Sequence, residues 1–228
     1  MAGQRNVVLD QHPDRAEFVA FFGDDFYPHD DWLRVVYETF RNDQTVACIT
    51  GNVVADGVCG PGLTYDDAVR QLRLHAPASY PWVTDGCSPY GCNMAFRVSA
   101  TIRLRFDERL VSYGWLEDRD FGARIPKREG RLIKLGAARG VHLGTKNGRV
   151  SGRRLGYSQV MNPYYLKRKQ TMTTSDALHH ALKNISANAG KSIWPEPYVD
   201  RRGRLLGNLM AIGDILAGRC SPEWADRL

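Results

Sequence analysis

The stretch FVAFFGDDFYP, residues 18–28, decides how the chain is read. Five mostly apolar residues end abruptly in Gly23-Asp24-Asp25. An apolar run of that length, bounded by turn residues, predicts a buried strand over 17–23. Two adjacent carboxylates at its end repel each other and are costly to desolvate unless a cation sits between them. Hard carboxylate oxygens suit Mg²⁺ or Mn²⁺, which bridge to phosphate oxygens. The same pair also reads as exposed acids of a helix-capping loop, and the local pattern leaves both readings open.

Working outward, Asp30-Asp31 suit the cap and first turn of a helix, where acids complement the macrodipole. Trp32, Val35, Val36 and Phe40 then recur on one helical face. Val46–Val54 predicts a second strand with Asp56-Gly57 as its turn, and Asp66–His75 a short helix. Residues 77–92 (PASYPWVTDGCSPYGC) read as a long irregular loop, and 92–98 as a strand. Trp115–Ile125 predicts a helix with acids in its first turn. Arg131–Leu135 and Ala138–Leu143 predict two short strands, and the Gly- and Arg-rich residues 144–158 a mobile loop. Ser175–Ala189 and Leu205–Ala217 predict two C-terminal helices. No internal repeat or low-complexity tract is visible. Strand–helix alternation in the first half argues for an α/β sheet.

With 228 residues, 43% of them hydrophobic, the chain is long enough for one large domain with a real core. No apolar run approaches bilayer-spanning length, and MAGQRNVVLDQHPD lacks the apolar stretch of a signal peptide. The five cysteines form no CxxC pair and read as reduced thiols of a cytoplasmic protein. Charge is uneven. Residues 121–175 hold 13 Lys and Arg against the single acid Glu129, a local +12 in a chain of net +6. That asymmetry suggests an anionic partner, with a solvated basic face as the bland alternative.

Three further stretches carry candidate chemistry. In Trp115-Leu116-Glu117-Asp118-Arg119-Asp120-Phe121, three acids crowd between aromatics that can raise a carboxylate pKa and favour base chemistry. Spacing alone favours the plainer reading, acids complementing a helix dipole with Arg119 pairing locally. His142, after a short strand, is a metal ligand only if a nearby ion needs one. The run Lys146–Lys169 holds seven basic residues, no acid, and Tyr157, Tyr164 and Tyr165. It suits a diphosphate, anionic lipid or single-stranded nucleic acid.

Taken together, these stretches resemble the family 2 glycosyltransferases, which have the GT-A fold. GQRNVVL resembles the Arg-Asn segment before the metal strand, and FVAFFGDDFYPHDDWL the acidic metal motif with its following helix. GCNMAFR and FDERLVSYGWLEDRDFGARI resemble the acceptor-side strand and the Glu-Asp motif of the catalytic base. GVHLG and GYSQVMNPYYLKRK follow in matching order.

The resemblance implies a partial GT-A fold: a mixed, mainly parallel sheet flanked by helices over 1–170, with a C-terminal helical extension over 171–228. Asp24 and Asp25 would hold Mn²⁺ or Mg²⁺ against the donor diphosphate, with His142 completing the shell. Arg5, Asn6 and Asp24 would contact the donor. Trp115, Gly91 and Asn93 would face the acceptor. Asp118 would be the general base, opposite the leaving group, with Glu117 assisting. The reaction would be one inverting displacement, moving sugar from a nucleotide-diphosphate donor to a saccharide or lipid-linked acceptor, in polysaccharide or glycoconjugate synthesis.

The chain departs from the family pattern twice. Gly23 stands at the first acidic position of the metal motif. Nothing before Gln4 resembles the βα units that hold base and ribose, roughly 60 residues or more. The chain is therefore expected to be truncated at its N-terminus, to bind nucleotide sugar weakly, and to expose an apolar sheet edge. A catalytically inactive remnant or partner subunit is the alternative reading. A nucleic-acid-binding module ranks lower, because it leaves both acidic motifs unexplained, and no nucleic-acid partner is expected. A basic loop near Arg149–Arg154 could give peripheral membrane contact, although no amphipathic anchor is evident.

Overall fold

The computed structural model describes residues 1–11, 16–75, 82–146 and 150–228. Expectations resting on residues 77–81 of the aromatic loop, and on 147–149 with Arg149 of the basic run, lie outside the described residues. The elements are α1 (Ala2–Gln11), β1 (Phe18–Phe22), β2 (Phe26–Pro28), α2 (Trp32–Asn42), β3 (Val46–Asp56), α3 (Tyr65–Leu74), β4 (Val83–Asp85) and β5 (Asn93–Arg97). There follow α4 (Glu117–Ala123), β6 (Arg131–His142), α5 (Gly152–Arg168), α6 (Thr174–Lys191) and α7 (Arg201–Leu216). Contacts divide them into two compact units: a sheet unit (7–105 and 121–147) and a helical unit (1–6, 106–120 and 148–228).

In the sheet unit the strand order is β1-β5-β3-β6-β2, with β4 also paired to β6. This is an α/β arrangement with a mixed sheet. The expectation of a mainly parallel sheet is corrected: among the described residues only β3 and β6 run parallel, and the other pairings are antiparallel. Strand–helix alternation does not fix direction. β5 follows the short strand β4 and runs back between β1 and β3. β1 stands at one end of the order, and the half-buried Phe18, Val19 and Ala20 line a shallow apolar pocket there.

β3 forms the centre because Val46–Asn52 is buried on both faces. α2 covers it through Trp32, Val36 and Phe40, spaced one turn apart and fully or nearly buried. Burying each such side chain contributes on the order of 2 kcal/mol. Phe18 stacks on Phe40 with centroids 4.6 Å apart. Arg97 ends α2 by donating to the carbonyls of Phe40 (2.7 Å) and Asp43 (3.3 Å), placing a cation at the helix C-terminus. α3 starts with Thr64 and Asp67 as a reciprocal capping box.

Three further expectations are corrected. The two strands read over 131–143 are one, β6; the break between them is a bulge where the β3 register jumps from Gly51↔Leu135 to Asn52↔Arg139. The helix expected from Trp115 begins at Glu117, because Ser112, Gly114 and Leu116 all take positive φ. The loop expected over 144–158 becomes helix α5 at Gly152, with Ser151 as its cap.

The glycines that made residues 144–158 look like a loop serve contact between helices. A Cβ on Gly156 would meet the Arg204 backbone of α7, and one on Gly207 would meet Arg153 and Tyr157 of α5. Tyr157, Val160, Met161 and Ala211 fill the core between them. α6 joins through a buried amide cluster, in which Asn188 Nδ2 donates to Gln159 Oε1 and to Asn208 Oδ1, both at 2.9 Å. α1, which the sequence did not announce, begins in the helical unit and ends in the sheet unit.

Candidate functional site

The clearest cluster of functional side chains is built by register at one end of the sheet. β2 pairs antiparallel with β6 so that Phe26 faces His142, which brings Asp25 beside the residue following β6. Leu143 N–H donates to the Asp25 carbonyl at 2.8 Å. β3 pairs parallel with β6 so that Asp56 also comes level with His142. Gly140 is required in β6, since a Cβ there would collide with the Phe26 ring.

His142, 5% exposed, therefore sits between two carboxylates. Its Nε2 lies 3.1 Å from Asp25 Oδ1, and its Nδ1 3.1 Å from Asp56 Oδ1. Tyr90 hydroxyl donates to Asp56 Oδ2 at 2.9 Å and lies 3.2 Å from His142 Nδ1. Thr145 N–H donates to Asp25 Oδ2 at 3.0 Å. Burial alone would lower the imidazole pKa, but the Asp56 hydrogen bond and the charge of Asp25 outweigh it and raise it. Burial would raise Asp56, but bonds from His142, Val58 N–H and Tyr90 hold it below the usual carboxylate range.

Asp25 and His142 could supply two ligands, a carboxylate oxygen and an imidazole nitrogen, to a divalent cation. Asp56 occupies the place of the outer carboxylate that fixes a ligating histidine's tautomer. Among the described residues no group of three or more His, Cys, Asp or Glu is arranged to hold an ion. Protein would thus supply Asp25 and His142, leaving other positions to phosphate oxygens and water, as Mg²⁺ commonly takes them. Asp24 is exposed beside Asp25.

The helical unit holds the second acidic motif. Gly114 and Leu116 at positive φ turn the chain sharply into α4. Glu117 is 3% exposed, and Arg5 Nη1 donates to its Oε1 at 2.6 Å. Burial pushes the Glu117 carboxyl up to about 7, against the pull of Arg5 and with a further push from Asp118. Asp118 is half-buried and accepts from Arg119 N–H at 2.7 Å. Asp120 is fully buried and bound by Lys169 Nζ and Thr171 Oγ1, both at 2.8 Å. Of the three acids, Asp118 is thus the most open to a substrate.

No protein-family model matches the chain, and no curated protein matches it.

The remaining expected residues divide by task. Arg5, read as a donor contact, is the partner of Glu117 and lies 5.3 Å from the centroid of the Phe106 ring. Asn6 mimics a backbone pairing: its Oδ1 accepts from Phe106 N–H at 2.7 Å and its Nδ2 donates to Phe106 carbonyl at 3.0 Å. Asn93 is fully buried in β5, where its Oδ1 accepts from Gly51 N–H. Gly91 lies just before that strand, and Trp115 presents its carbonyl to Asn162 Nδ2 at 2.9 Å. Asp56 and Tyr90 were missed. Asp56 had a signal, an acid ending a buried strand just as Asp25 does; Tyr90 lay in a loop with no period to read.

Proposed function

We propose that the chain is an inverting, metal-dependent glycosyltransferase that uses a nucleotide-diphosphate sugar. The observation that carries this reading is the Asp25–His142 pair at 3.1 Å, backed by Asp56, at the end of three paired strands. Bound Mn²⁺ or Mg²⁺ would neutralise charge building on the leaving diphosphate. Asp25 and His142 would hold it, and Asp56 and Tyr90 bond the imidazole and would keep it oriented. By the resemblance, Asp118 would accept the proton of the acceptor hydroxyl as that oxygen bonds the anomeric carbon and the bond from that carbon to the diphosphate oxygen breaks. Arg5 Nη1 bonds the Glu117 carboxyl at the first residue of α4. Electron paramagnetic resonance of Mn²⁺ with UDP tests the donor half of the reading: the wild-type chain is expected to take up the ion, and Asp25→Asn to lose it.

A second reading, a catalytically inactive relative or partner subunit, draws on the same cluster. An imidazole bonded at both nitrogens by carboxylates is also a satisfied structural group. Uptake of Mn²⁺ without turnover of any donor favours it.

A further inference from the structure

We propose that the outer faces of α6 and α7 and the segment joining them form a docking surface for anionic lipid. This surface is independent of the proposed chemistry. On α7, Arg202, Leu206, Leu209, Gly213 and Leu216 recur at alternating intervals of four and three residues and are all exposed. That spacing gathers them in one stripe along the helix. Leu209 is 56% and Leu216 83% exposed. Leu178 and Leu182, one turn apart on α6, are equally open. In the connection, Ile193 is 63% and Trp194 84% exposed, the latter the most exposed of the large apolar side chains described. So much large apolar surface on one helix pair marks an interaction site.

Charge selects the occupant. Each acid on α6, α7 and their connection is already engaged. Asp176 pairs with Arg119, Glu196 with Lys191 and Arg201, and Asp214 with Arg219 and Tyr157, while Asp200 caps α7. Lys183 stands exposed next to Leu182, and Arg202 is exposed on the α7 stripe, its Nε donating to the Ser192 carbonyl at 3.1 Å. A second copy meeting this face across a two-fold axis would bring these cations towards their own counterparts. An anionic headgroup layer pairs with them instead, while leucines and an exposed indole enter the acyl boundary. No helix among the described residues is long and apolar enough to cross a membrane, so the contact is interfacial. The sequence hid this surface because leucines at helical spacing read as core.

Flotation of the full chain with vesicles tests the proposal. The chain is expected to float with phosphatidylglycerol–phosphatidylethanolamine vesicles, less so as salt rises, and hardly with phosphatidylcholine alone. The double variant Leu206→Glu/Leu209→Glu, with circular dichroism checking its helices, is expected to bind roughly tenfold less. Trp194→Glu, outside any helix, serves as a second variant with the same expected direction. Absence of flotation on anionic vesicles overturns the proposal, as does equal binding by wild type and both variants. So does a dimer in sedimentation without vesicles that Leu206→Glu/Leu209→Glu splits, which assigns the face to a second copy.

Discussion

His142 Nε2 and Asp25 Oδ1 stand 3.1 Å apart because β2 and β6 pair Phe26 with His142. The two residues are distant in sequence, and one short ladder sets their spacing. Asp56 reaches the other imidazole nitrogen through the parallel β3–β6 register.

On the proposed reading, Asp56 would orient His142 as a metal ligand. Asp56→Asn is expected to weaken Mn²⁺ binding by roughly 10- to 100-fold while leaving some uptake, as for other partners behind a ligating histidine. His142→Ala is expected to remove more. Titration of Mn²⁺ by paramagnetic resonance distinguishes the two, and equal affinities in wild type and both variants would count against the site.

Glu117 makes stability depend on pH. Its carboxyl titrates at about 7 in the folded chain against 4.5 ordinarily. The folded state thus holds the proton more tightly, and the stabilisation is complete below about 4.5 and lost as pH rises through 7, by up to roughly 3 kcal/mol. Glu117→Gln lacks this loss. The Tm difference between Glu117→Gln and wild type is expected to shift in favour of the variant between pH 5 and pH 8, whatever its value at pH 5. A pH-independent difference would mean that Glu117 is not buried as described.

Lys169 neutralises two carboxylates at once, Asp107 at 2.5 Å and the fully buried Asp120 at 2.8 Å. Lys169→Met removes the ammonium that both carboxylates accept from. Removing one partner from a buried pair costs about 3–5 kcal/mol, so a fall of that order in urea-unfolding stability is expected. A change under about 1 kcal/mol would show the network to be solvent-screened.

The α5–α7 crossing predicts a steric result. A Cβ on Gly156 meets the Arg204 backbone, which has no side chain to swing away. Gly156→Ala is expected to destabilise the chain by about 1–3 kcal/mol despite alanine's better helix propensity. Gly190→Ala, with open space around its Cβ, is the control and is expected to be neutral or stabilising. Thermal melts compare them.

The sequence showed the elements whose burial has a period. Trp32, Val36 and Phe40 announced α2, and the apolar run of β3 announced a central strand. Asp25 and His142 were legible as single candidates, since each lies at a strand end. Their proximity was not, because register depends on pairing between distant strands. α5 stayed hidden because Gly152 and Gly156 signal loops in sequence and close helix contact in space. Strand direction was misread for β5, whose preceding loop carries no helical pattern. Arg5 was read as a donor contact and not as the partner of Glu117, an interaction spanning most of the first half of the chain.

The most direct measurement is release of nucleoside diphosphate from a small panel of UDP- and GDP-sugars, with Mn²⁺ and with chelator. It would compare wild type, Asp118→Asn and Asp25→Asn. The account predicts release from at least one donor that requires Mn²⁺ and falls by roughly 100-fold or more in Asp118→Asn, as loss of a general base does. Release that survives unchanged in Asp118→Asn, or no release from any donor by a chain that binds Mn²⁺, would contradict it.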